Sequence, residues 1–111
     1  MFNMDRLRVL VIGVALAAGP RVSLAAGPGD VEKGKAVFQQ CSVCHHADSN
    51  EKKMGPGLKG LFKKAKLADG KKPTEANVRA RIDEGGSGMP AYKDMLSDQE
   101  KDDLIAYLKT L

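Results

Sequence analysis

Residues Cys41-Ser42-Val43-Cys44-His45 carry the chemistry of this chain. Two thiols three positions apart can stand one helical turn apart on a single face. That spacing suits two thioether bonds to the two vinyl groups of one porphyrin. The next residue, His45, then offers a ring nitrogen to iron as the proximal ligand. The pattern Cys-x-x-Cys-His is the attachment signal for a c-type haem.

Other uses of the pair are poorly served. A zinc site needs four ligands at workable spacing, and here only His45 and His46 lie nearby. Adjacent residues rarely close a tetrahedron with such a pair. A thioredoxin-like dithiol expects a βαβ context, which the pattern lacks. A plain disulfide between Cys41 and Cys44 is the remaining competitor.

A haem iron bound by His45 needs a further ligand or an open position. His46, tied beside the proximal ligand, reads as a loop histidine. After the first 25 residues the thioethers are Met54, Met89 and Met95. Met54 has only nine residues in which to travel from His45 around a macrocycle. Met89 follows Gly85-Gly86-Ser87-Gly88, and Pro90 biases it towards an extended backbone. Such a loop can present a side chain to a metal, so Met89 is assigned as distal ligand, with Met95 as the alternative. Met54 and Met95 fit better as gap-fillers.

The start of the chain reads as a secretory leader. Arg6 and Arg8 precede an apolar run from Val9 to Gly19, and Ser23-Leu24-Ala25 fits a small-x-small cleavage rule. The expected division is a signal peptide over 1–25, cut near Ala25 or Ala26, and one domain over 26–111. Eleven apolar residues fall short of the ~20 that cross a bilayer, so no membrane span is expected after cleavage. Export agrees with the haem pattern, because thioether attachment takes place in an extracytoplasmic compartment. A periplasmic protein is therefore expected.

A remaining domain of about 86 residues buries a modest core and often needs a staple. Its aromatics are only Phe38, Phe62, Tyr92 and Tyr107, with no Trp. A buried porphyrin would supply the missing apolar body. Loss of the leader removes Arg6, Arg8, Arg21 and Asp5 and lowers the net charge from +4 to +2. Two haem propionates would bring it near zero, so the basic balance does not mean nucleic-acid affinity.

The elements are helical. Asp30 can cap a helix running to about Gln40, with Val31, Val37 and Phe38 as apolar positions. Leu58, Leu61 and Phe62 suggest a short helical turn. Thr74 caps a helix with Val78 and Ile82 on one face and Gly85 as its stop. Arg79 and Arg81 are assigned to that helix's outer face. Ser97-Asp98-Gln99-Glu100 is a capping box, followed by Leu104, Ile105, Leu108 and Leu111 at helical spacing. No strand is expected. The loops are too long for an ordinary small bundle unless something inside orders them.

With these residues in view, the chain resembles the class I monohaem c-type cytochromes from about Gly29 to Leu111. The segments that carry the likeness are Gly29 to Lys35 with Phe38, the Cys41–His45 motif, Gly55-Pro56-Gly57-Leu58 with Gly60-Leu61-Phe62, and Asp103 to Lys109. Met89-Pro90-Ala91-Tyr92 resembles the family's distal motif. The resemblance implies an all-α, cytochrome c-like fold: three to four short helices and long loops around one covalently bound haem c. It implies a helix crossing that pairs Gly34 and Phe38 with Leu104 and Tyr107. It also implies that the carbonyl of Pro56 orients His45 from behind.

The function expected is a soluble, monomeric electron carrier, not an enzyme, that moves single electrons between redox protein partners. A haem peroxidase or small-ligand binder is the alternative, as is a haem subunit of a larger respiratory complex. Catalysis at haem would need an open position and a distal acid–base group, and no spare histidine is available. Eight lysines oppose the single acid Asp69 across 52–72, whereas Asp94, Asp98, Glu100, Asp102 and Asp103 gather near the end. Lys52, Lys53, Lys59, Lys63, Lys64 and Lys66 form the candidate docking face for an acidic partner.

Overall fold

Asp30 starts the first helix by accepting the Lys33 N–H at 3.0 Å from an extended backbone. In a computed structural model that describes residues 29–111, this helix, α1, spans Val31–Phe38. Helix α2 spans Glu75–Glu84 and α3 spans Asp98–Leu108, with a 3₁₀ turn at Leu61–Lys63. No strand occurs among the described residues, only an isolated bridge between Gly86 and Met89. The leader assigned to 1–25 lies outside the described residues. Among them, no helix is long and apolar enough to cross a membrane.

Helices α1 and α3 cross with almost no gap, and Gly34 makes that possible. A Cβ on Gly34 would fall inside the backbone of Asp103 and 2.8 Å from the Tyr107 Cβ. One turn on, the Phe38 and Tyr107 rings meet with centroids 5.3 Å apart, tilted by 52°. Among the described residues, Leu104 is the most deeply buried side chain, at 2% exposure. The crossing implied by the resemblance is therefore present.

A polar contact locks the same crossing. Asp103 is buried, and its Oδ1 accepts the Asp30 N–H at 2.8 Å and the Gln99 Nε2–H at 3.0 Å. The Asp30 N–H bond holds the Asp103 carboxyl below its ordinary range against the opposing effect of burial, with Gln99 and Lys33 adding to it. A carboxylate held low in this way stabilises the fold above the ordinary carboxylate range. That contribution is lost as pH falls through and below the range.

Helix α3 begins with the expected capping box. Ser97 Oγ accepts the Glu100 N–H at 3.1 Å, and Glu100 Oε1 accepts the Ser97 N–H at 3.0 Å. Helix α2 begins at Thr74, whose Oγ1 accepts the Asn77 N–H at 3.1 Å. It stops at Gly85 in the left-handed region, φ 63°. Val78 and Ile82 face inward. Arg79 ties α2 across α3, to Asp102 at 2.5 Å and Asp98 at 3.2 Å, and Lys109 pairs with Glu75. The loops between these helices line a cavity.

Candidate functional site

The chain turns helically once more after α1 ends at Phe38, two residues short of the expected Gln40. The Cys41 N–H donates to the Phe38 carbonyl at 2.8 Å and the His45 N–H to the Cys41 carbonyl at 3.0 Å. These turns bring Cys41, Cys44 and His45 to the wall of one cavity of about 780 Å³. That volume lies in the range of sites that enclose an organic ligand, roughly 300–1,000 Å³. Phe38, Leu61, Ile82 and Leu104 line it from four separate parts of the chain, so its interior is mainly apolar.

His45 is held from behind. Its Nδ1 lies 2.8 Å from the Pro56 carbonyl. A carbonyl can only accept, so Nδ1 carries a proton, and in the neutral ring Nε2 is then the nitrogen with the free lone pair. Gly55 provides the room: a Cβ there would lie 2.7 Å from His45 Nδ1. The Gly55 N–H donates to the Cys44 carbonyl at 2.8 Å, which ties this loop to the cysteine turn.

Met89 reaches the same cavity from the other end of the sequence. It sits on a two-residue hairpin. The Gly86 N–H donates to the Met89 carbonyl at 2.9 Å, and the Met89 N–H donates back at 3.0 Å. Ser87 and Gly88 at the tip both have positive φ, 52° and 90°, as a turn of the type I′ family requires. Below it, Gly85 lets the Met89–Pro90 backbone pack close; a Cβ would lie 2.6 Å from Pro90. The glycine-rich segment before Met89 is therefore a defined hairpin turn.

The other candidates separate. Met95 is 63% exposed and lies off the cavity wall. Met54 also lines the cavity but is 79% exposed, with its sulfur 4.0 Å from Cys44 Sγ. His46 is partly buried and does not line the cavity. Among the described residues no group of three His, Cys, Asp or Glu gathers as a metal site, so the zinc reading has no ligand set. Burial, then the neighbouring Cys44, pushes the Cys41 thiol up. An activated dithiol needs the opposite shift.

Two expectations about charged residues change. Arg81 is not on an outer face: it lines the cavity, and its guanidinium donates to the Gly86 carbonyl at 3.4 Å. Lys64 is drawn in, donating to the Gly57 carbonyl at 2.7 Å. Lys52, Lys53, Lys59, Lys63 and Lys66 are exposed. Lys53 also donates to the Ser42 carbonyl at 3.0 Å, beside the cysteine turn.

The family profile described as Cytochrome c matches residues 31–111. The chain belongs to the cytochrome c family. Cytochrome c-550 of Nitrobacter winogradskyi is 34% identical over 97 residues, covering 72% of this chain and 89% of that protein. Cytochrome c6 of Bryopsis maxima is 37% identical over 83 residues, covering 72% and 90%. Among solved structures, cytochrome c6 from the diatom Phaeodactylum tricornutum superposes with a TM-score of 0.56 at 31% identity. The superposition covers 74% of this chain and 93% of that one.

A cytochrome c carries one covalently bound haem c with its iron, and it is an electron-transfer protein rather than an enzyme. The residues present fit that group. An apolar cavity of suitable size has the Cys-x-x-Cys-His turn in its wall and an imidazole whose outer nitrogen is already committed to a carbonyl.

Proposed function

We propose that this cytochrome c is an exported, periplasmic one-electron carrier whose haem is held by Cys41 and Cys44 and ligated by His45 and Met89. When bound, the haem supplies a ferric–ferrous couple. The protein's part is to fix the ligands. Cys41 and Cys44 anchor the ring through thioethers, and Pro56 keeps His45 in one tautomer and orientation. The hairpin from Gly85 to Pro90 presents Met89. The observation that carries this reading is the meeting of Cys41, Cys44, His45 and Met89 at one apolar cavity.

A thioether ligand raises the potential of haem iron relative to bis-histidine ligation. Met89→Ala is therefore expected to abolish the far-red sulfur-to-iron absorption of the ferric protein. It should also lower the midpoint potential by on the order of 100 mV, within the roughly 0.8 V that axial ligands span. Survival of that band in the variant would remove Met89 from the assignment.

The exposed lysines Lys52, Lys53, Lys59, Lys63 and Lys66 are proposed to steer an acidic redox partner, with Lys64 as a lesser contributor because it is partly buried and its ammonium engaged. Exposed charges are screened beyond a Debye length of ~10 Å at 0.1 M salt. Electron transfer with an acidic protein partner should slow about tenfold or more from low to high ionic strength. A flat salt profile in stopped-flow mixing counts against steering. Cleavage of residues 1–25, near Ala25 or Ala26, belongs to the same proposal; mass spectrometry of the exported protein checks it.

A further inference from the structure

Lys101 is only 4% exposed on α3. A buried ammonium is costly unless its charge is answered. Here it is answered twice. Nζ lies 2.7 Å from Asp83 Oδ1 and donates to the Lys93 carbonyl at 2.9 Å. The exposed carboxylate of Asp98 stands farther off, at 4.0 Å. Asp83 Oδ1 is itself buried and accepts no aligned hydrogen bond, so its attraction to Lys101 is coulombic.

These contacts converge on the base of the loop that carries Met89. The chain leaves α2 at Gly85 and comes back beside its last turn. There the Tyr92 N–H donates to the Ile82 carbonyl at 2.9 Å, and the Lys93 N–H to the Asp83 carbonyl at 3.2 Å. Lys101 grips both ends at once, through the Asp83 side chain in the last turn of α2 and the Lys93 carbonyl on the returning segment. The loop can open locally, without global unfolding, once this base parts.

We infer that Lys101 is a positioning residue for the sixth ligand of the iron: it clamps the base of the Met89 loop and holds the thioether in place. The inference rests on Met89 as that ligand. An apolar side chain could fill the same space, since buried ion pairs often add little net stability over a hydrophobic replacement. What an apolar residue cannot do is join Asp83 to Lys93.

The test uses haem-loaded protein and the variants Lys101→Met, Asp83→Asn and Met89→Ala. Amide hydrogen exchange is read at Tyr92 and Lys93, and imidazole is titrated against the ferric form. In Lys101→Met, exchange at those two amides and the affinity for imidazole should each rise about tenfold or more, the scale of one charge-assisted hydrogen bond. Exchange at Leu104 and Ile105 should change less. Asp83→Asn should act in the same direction, and it decides the matter if Lys101→Met does not fold. Unchanged exchange at Tyr92 and Lys93, or equal acceleration at all four amides, overturns the clamp. If Met89→Ala leaves imidazole affinity at the wild-type value, the ligand assignment fails instead, and the exchange data still judge the clamp.

Discussion

Replacement of both Cys41 and Cys44 by Ser is expected to turn a haem that resists extraction into one released almost completely into acidified organic solvent. Acid protonates an imidazole and breaks its bond to iron, so axial ligation alone does not survive such treatment. Thioether bonds do. Each single variant should keep the haem through its remaining bond. The distinction matters because Phe38, Leu61, Ile82 and Leu104 face a cavity of about 780 Å³. Loss of the ring would expose the cavity-facing sides of those side chains, and a domain this small has little stability to spare, ~0.1 kcal/mol per residue. Retention of haem by the double variant after extraction would sink the covalent assignment.

The second large effect is at Gly34. Helix propensity alone says that Gly34→Ala should stabilise α1 by ~1 kcal/mol. The crossing of α1 and α3 says the reverse. The new Cβ would overlap the Asp103 backbone and crowd the Tyr107 Cβ, and neither can move without parting the helices. Overpacking costs about 1–3 kcal/mol and occasionally more. The net expectation is a destabilised Gly34→Ala protein. Gly34→Val, with more bulk at the same spot, should lose about 3 kcal/mol or fail to fold. Denaturant unfolding followed by circular dichroism reads the sign, and a Gly34→Ala protein more stable than wild type would contradict the close crossing.

Much of the fold was open to inspection in the sequence because its signals are local. Asp30, Thr74 and Ser97 each accept a hydrogen bond from a nearby backbone N–H, so helix starts follow from residue type. Cys41 and Cys44 are brought together by a single turn, and their chemistry follows from spacing. The Gly85 stop also lies where expected, in the left-handed region that favours glycine.

Residues whose roles depend on distant partners were harder to read. Lys101 and Asp103 sit in a stretch of mixed charge that resembles a solvated helix face, yet both are buried. Asp103 is covered because the start of α1 docks on it, and Lys101 because the base of the Met89 loop does. Arg79 and Arg81 are two residues apart on one helix, yet Arg79 binds α3 whereas Arg81 turns to the cavity. The glycines before Met89 do not by themselves define the geometry of its loop. Its hydrogen bonds make it a tight hairpin, since positive φ at Ser87 and Gly88 is what that turn demands.

By itself, then, the sequence determined the helices, their caps, the Cys-x-x-Cys-His turn and the family likeness, because each is written within a few adjacent residues. Only the tertiary structure decided that Met89 lines the same cavity as His45 whereas Met95 does not, which lysines are exposed, and which charges are withdrawn into the interior. Those outcomes depend on contacts between segments far apart in the chain. Met89 and His45 are separated by more than forty residues, and no local periodicity measures the distance between them.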